Sequence, residues 1–223
     1  MASLSVADVA GELAISPRRV RQLLAGGQLV GERLGRDWVI ERARIEHYRR
    51  RRHLAGRPWL PASAWAVLAI AGGGGSELSP VDRSRARHRL TEHGLVELID
   101  RLVVRAEHRS FYGHPAVLQR LRNEQGAVRG GVSAAADHDV DLVGDDLLEL
   151  YLRTQRHDAL VERYALDGDA ERPNVLIHAV DDAVWPFDAD VDVAPWPVMV
   201  VDLLESDDER ARRAGRELAD RHS

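Results

Sequence analysis

The sequence predicts an α+β protein in two parts, a small N-terminal unit of short helices and a hairpin followed by a larger mixed α/β body. Three observations carry that prediction. From Ser5 to Leu24 apolar residues recur at helical spacing, whereas Leu29–Leu34 and Asp37–Ile40 read as two short strands around Gly35 and Arg36. Gly56, Pro58 and Pro61 interrupt both patterns and place a boundary near residue 57, giving domains 1–57 and 58–223, the second with a sub-boundary near 126. Charge follows the same division: residues 1–58 hold 12 arginines against six acids, although the whole chain carries a net charge of −5. An N-terminal part of that sign is suited to a polyanion, and the acidic remainder to solvent or a basic protein.

The first helix starts at a capping-box-like pair, Ser5 and Asp8, and places Val6, Val9, Ala10 and Leu13 on one stripe. Ser16 as N-cap and Pro17 at the first helical position open a second helix, whose buried side is Val20, Leu23 and Leu24. Arg18, Arg19, Arg21 and Gln22 then face outward. Gly26 and Gly27 are suited to a left-handed cap, after which Leu29–Leu34 and Asp37–Ile40 read as two strands around Gly35 and Arg36. Two short helices followed by such a hairpin predict a winged helix-turn-helix, with the second helix in the major groove of double-stranded DNA. Arg18, Arg19, Arg21 and Gln22 are the expected base readers, since Arg pairs bidentately with guanine and Gln with adenine. Arg33 and Arg36 on the wing are expected to hold phosphate or the minor groove. The alternative is a helical hairpin with a solvated arginine face. The segment also resembles excisionase-like and MerR-like DNA-binding domains, with Trp38 in the wing strand.

The run ERARIEHYRRRR continues as a helix with Ile45 and Tyr48 on one side and ends in Arg49, Arg50, Arg51 and Arg52, an expected phosphate grip. Residues 62–71 form an apolar helix broken by Gly72–Gly75. That glycine run is a connector and not a phosphate loop, because no Gly-Lys-Ser/Thr follows it. Ser79 and Pro80 restart a helix divided by Gly94, with Val81, Leu90, Leu95, Leu98, Ile99 and Leu102 expected in the core. His88, Glu92 and His93 have the wrong spacing for one metal. Arg101–Tyr112 is expected as a strand with Val104, Ala106, His108, Ser110 and Tyr112 on one side, and Pro115 opens another helix. Then come a small-residue helix (GGVSAAADH), a strand (LLELYL), a helix (HDALVERYAL), a strand (PNVLIHAV) and two closing helices (APWPVMVVDLL and DERARRAGRELADR). Asp188, Asp190 and Asp192 would align three carboxylates on a strand, but no glycine turn or distal Glu completes a calcium loop. Trp185, Pro186, Trp196 and Pro197 are expected to staple that loop to the core.

Cysteine is absent, which excludes disulfides and thiolate metal sites. The start has no leader-like pattern and no run is apolar and long enough for a membrane helix, so a cytoplasmic protein without a membrane partner is expected. No catalytic residue, metal or cofactor is assigned, and the chain is expected not to be an enzyme.

In the body GGVSAAADHDVDLV, LELYL, ERYAL, RPNVLIHAV, VWPF and above all APWPVMVVDLLESDDERARRAGRELADR resemble the C-terminal half of AbiEi-family type IV antitoxins and related actinobacterial regulators. The resemblance implies a winged helix-turn-helix joined to such a body, repression of the chain's own operon, and a nucleotidyltransferase toxin as cognate partner. The head departs from it, being more excisionase-like. Readers of this kind commonly bind as homodimers on repeated half-sites. The competing expectation is a small-molecule- or metal-binding enzyme or sensor with a DNA-anchoring head, Asp188, Asp190 and Asp192 being its metal candidates.

Overall fold

A computed structural model of the chain describes residues 3–13, 15–25, 29, 31–35, 37–42, 44–45, 48, 58–142, 147–170 and 172–222. The chain is α+β and divides into two compact units, Met1–Gly56 and Arg57–Ser223.

In the first unit β1 (Ser3–Ser5) leads into α1 (Val6–Leu13), α2 (Pro17–Ala25), β2 (Glu32–Leu34) and β3 (Asp37–Glu41). The strands make one antiparallel sheet in the order β1-β3-β2. Both helix starts follow from their caps. Asp8 accepts from the Ser5 backbone N–H at 3.0 Å and from its hydroxyl at 2.7 Å, while Ser5 Oγ accepts from the Asp8 N–H at 3.3 Å. These bonds hold the exposed Asp8 carboxyl below its ordinary pKa. Ser16 Oγ accepts from the Arg19 N–H at 3.2 Å. Val9, Ala10, Leu13, Val20, Leu23, Leu24, Leu29, Ile40 and Ile45 form the core, with Trp38 and Tyr48 packed at its margin.

Two differences from the sequence reading concern strands. β1 carries no alternation over three residues and forms because β3 offers it an edge. β2 begins at Glu32 and not Leu29, because the Leu29 N–H returns to the Leu23 carbonyl at 3.1 Å and completes the exit from α2. Gly26, Gly27, Arg36 and Arg49–Arg52 lie outside the described residues.

The second unit contains α3 (Pro61–Ala71), α4 (Pro80–Glu97), α5 (Ile99–Leu102), β4 (Glu107–Phe111), α6 (Pro115–Arg122), β5 (Val128–Arg129), a 3-10 turn (Gly131–His138), β6 (Leu148–Arg153), α7 (Thr154–Arg163), β7 (Val175–Val180), a short 3-10 turn (Asp182–Val184), α8 (Trp196–Glu205) and α9 (Glu209–Asp220). Its sheet runs β4-β7-β6-β5. β6 and β7 are parallel, as the α7 crossover requires, and both edges are antiparallel. Because side chains alternate, Leu148, Leu150, Leu152, Val175 and Ile177 enter one core with Phe111, Leu121, Leu160 and Leu166. Tyr151 and Val180 enter the other, against residues of α3, α5, α8 and α9.

Arg83 closes the glycine connector by donating to the carbonyls of Gly75 at 3.1 Å, Ser76 at 2.6 Å and Leu78 at 3.1 Å. Ser79 caps α4 through the Asp82 N–H at 3.1 Å, and Gly94, at φ 71° and ψ 162°, kinks that helix. Leu95, Leu98 and Leu102 are buried as expected, but Val81 is 55 % exposed, since the first turn of α4 stands clear of the core. Of the expected strand 101–112, Glu107–Phe111 forms β4 and Tyr112 an isolated bridge with Asp167, because Ile99–Leu102 is helical and Arg105 turns inward before them. Phe111 is the buried residue there, and Val104 and Tyr112 are exposed. The GGVSAAADH segment is a 3-10 turn from Gly131. Trp185 lies edge-on to Phe187 at 5.1 Å, and Trp196 stacks on His222 at 4.4 Å. Among the described residues no helix is long and apolar enough to cross a membrane.

Candidate functional site

Two arrangements carry chemistry, one in each unit. In α2 the apolar stripe Val20, Leu23 and Leu24 is buried, so the helix must present Arg18, Arg19, Arg21 and Gln22 to solvent, and all four are exposed. The first turn of α2 contains no acid. Cations there oppose the positive end of the helix dipole, so this placement works against the isolated helix and favours an anion at that end. Arg33, also exposed, stands on β2 in register with Trp38 of β3. Among the described residues, then, five of the expected DNA contacts are exposed on α2 and β2.

The second arrangement was not anticipated. Arg105, with its side chain wholly buried, donates to Glu205 through both terminal nitrogens at 2.8 Å and to Asp202 Oδ1 at 2.7 Å. Its Nε donates to the Tyr151 hydroxyl at 3.2 Å, and that hydroxyl donates to Asp202 Oδ1. Asp202 Oδ2 accepts from the Gly131 N–H at 3.1 Å. Glu149, beside them, accepts from the Val132 N–H at 3.3 Å and lies 2.6 Å from His178 Nε2. The His178 ring stacks on Tyr151 at 4.4 Å and meets the His108 ring edge-on at 4.5 Å.

Burial pushes the Asp202 carboxyl up, against the pull of His178 and Arg105, and pushes the Tyr151 phenol well up. Burial also disfavours the charge on Arg105, but Glu205, Tyr151 and Asp202 together hold its pKa well above the ordinary value. The cluster thus joins the Arg105 turn, β6, β7, α8 and the Gly130–Gly131 corner. One signal in the sequence pointed to it: Glu149 and Tyr151 alternate within an apolar strand, His178 interrupts another, and Asp202 and Glu205 sit on an apolar helix.

The corner itself is specified by the carboxylates. A Cβ on Gly131, whose φ is +46°, would fall 1.7 Å from Glu149 Oε2. Gly131→Ala is expected to lose roughly 1–3 kcal/mol from backbone strain alone and more from displacing Glu149, read as a lower urea midpoint. An unchanged midpoint would show that the corner rearranges freely.

Asp188, Asp190 and Asp192 are exposed and lie in a turn rather than on a strand, so their alternate spacing aligns nothing. Among the described residues the grouping of His and carboxylates with ligand spacing is Glu149, His178 and Asp202. His88 and His93 each approach Glu92, at 3.4 and 3.5 Å, on the exposed side of α4. No family model, curated protein or solved structure matches the chain.

Proposed function

We propose that the chain is a sequence-specific DNA-binding transcriptional regulator, the autorepressing antitoxin of a toxin–antitoxin pair, with a winged helix-turn-helix head. The observation that carries the DNA reading is α2, which buries one apolar stripe and exposes Arg18, Arg19, Arg21 and Gln22 without an acid in its first turn. In this reading those four side chains contact base edges, and Arg33, Arg36 and Arg49–Arg52 hold phosphate. A homodimer on the operator supplies two such helices, one per half-site. The antitoxin role, and a cognate nucleotidyltransferase toxin as the body's partner, rest on the AbiEi resemblance of the closing segments. A regulator of this kind works in the cytoplasm and needs no cofactor or catalytic residue.

The test is a gel shift of the full chain on the DNA upstream of its own gene, against scrambled competitor at two salt concentrations. Binding that survives competitor is expected, with affinity falling steeply as salt rises because several phosphates are neutralised. Equal loss to scrambled DNA would reduce the head to a nonspecific module.

A further inference from the structure

We infer that Glu149, His178 and Asp202 form an internal site for one divalent cation of the zinc class, set between β6, β7 and α8 in the core of the body. The donor atoms, one imidazole nitrogen and two carboxylate oxygens, all lie within 4.8 Å of one another. Zinc bonds of about 2.0–2.2 Å place tetrahedral donors roughly 3.3–3.6 Å apart. That spacing falls between the 2.6 Å contact of Glu149 with His178 and the 4.8 Å limit of the group. Imidazole with carboxylate suits zinc and its neighbours better than calcium or magnesium, which favour oxygen alone.

Burial is the independent argument. Glu149 and Asp202 are both buried, and the Arg105 guanidinium that bonds Asp202 is shared with Glu205. A buried carboxylate is strongly disfavoured unless donors or a cation meet it. His178 brings a further open valence, since its Nδ1 is buried without a hydrogen-bond partner. A dication between Glu149 and Asp202 would meet both carboxylates at once. The donors are also held in advance: the Val132 N–H fixes Glu149, while the Gly131 N–H, Tyr151 and Arg105 fix Asp202. This inference concerns the body alone and does not depend on the DNA reading of the head.

Because all three side chains are buried, loading is best tested through folding. The full chain is unfolded with chelator and refolded with or without Zn2+; bound metal is then counted by elemental analysis and the melting temperature measured. One tightly held equivalent per chain is expected to raise Tm by about 5–10 °C at a hundredfold excess over Kd. Glu149→Gln, which keeps the side-chain shape, is expected to lose that equivalent and that shift. A variant with Asp188→Asn, Asp190→Asn and Asp192→Asn is expected to keep both. Substituting Co2+ in the unaltered protein should give the visible absorption of a four-coordinate nitrogen and oxygen site, a readout that does not require any variant to fold. Refolded wild-type protein without a stoichiometric ion or a Tm shift would overturn the inference. An ion retained by folded Glu149→Gln would overturn it too, by placing the ion elsewhere.

Discussion

Arg105→Leu is expected to remove about 3–5 kcal/mol from the body, the cost of leaving buried carboxylates without their counter-charge. A domain's whole stability is about 5–15 kcal/mol, so this loss alone brings the unit close to unfolding. The size follows from the bonding: one guanidinium serves both oxygens of Glu205, Asp202 Oδ1, the Tyr151 hydroxyl and, at 3.3 Å, the Leu102 carbonyl. Urea unfolding followed by tryptophan fluorescence is the measurement, since Trp65 donates its ring N–H to the Arg105 carbonyl at 2.9 Å and reports on the spot. Joint replacement of Arg105, Asp202 and Glu205 by apolar residues of similar volume is expected to recover most of the loss, because desolvation of the ions then disappears with them. A loss under about 1 kcal/mol for the single variant would mean that water or a shifted side chain neutralises the carboxylates, contrary to the burial of the cluster.

The second large effect is expected on DNA. Arg18→Ala, Arg19→Ala and Arg21→Ala each remove a group able to take guanine bidentately. Those that do so should cost about 1–3 kcal/mol, roughly 5- to 150-fold, on the operator and much less on scrambled DNA. Arg33→Ala is expected to weaken both DNAs alike and to lower the salt slope by about one contact; losing Arg50 and Arg51 together should flatten it further. All of the described residues in this set are exposed, so melting of the head should change by no more than about 0.5 kcal/mol, which separates lost recognition from lost folding. The same uniform loss in every variant would end the division between base readers and phosphate holders.

The helix stripes and caps of the head were legible because they depend on residues within one or two turns. Ser5 with Asp8, and Ser16 with Arg19, satisfy backbone groups three residues away, and Val20, Leu23 and Leu24 declare a buried face that leaves the arginines outside. In the body the kink at Gly94 and the caps at Ser79 and Pro80 were equally local. The strand Arg101–Tyr112 was misread because alternation of apolar residues also arises in a turn, and nothing nearby says that Arg105 will be buried. The aspartates at 188, 190 and 192 misled in the same way, since spacing aligns side chains only if the backbone is extended.

What the sequence determined by itself was therefore the α+β class, most element types and the solvated basic face of α2, all written in short-range periodicity and capping. What only the tertiary structure decided was the joining of Glu149 to His178, 29 residues apart, and of Arg105 to Glu205, 100 residues apart. Strand order and the packing of α8 on the sheet create that neighbourhood, and a charged residue in an apolar strand acquires its meaning from the opposite charge that the fold brings to it.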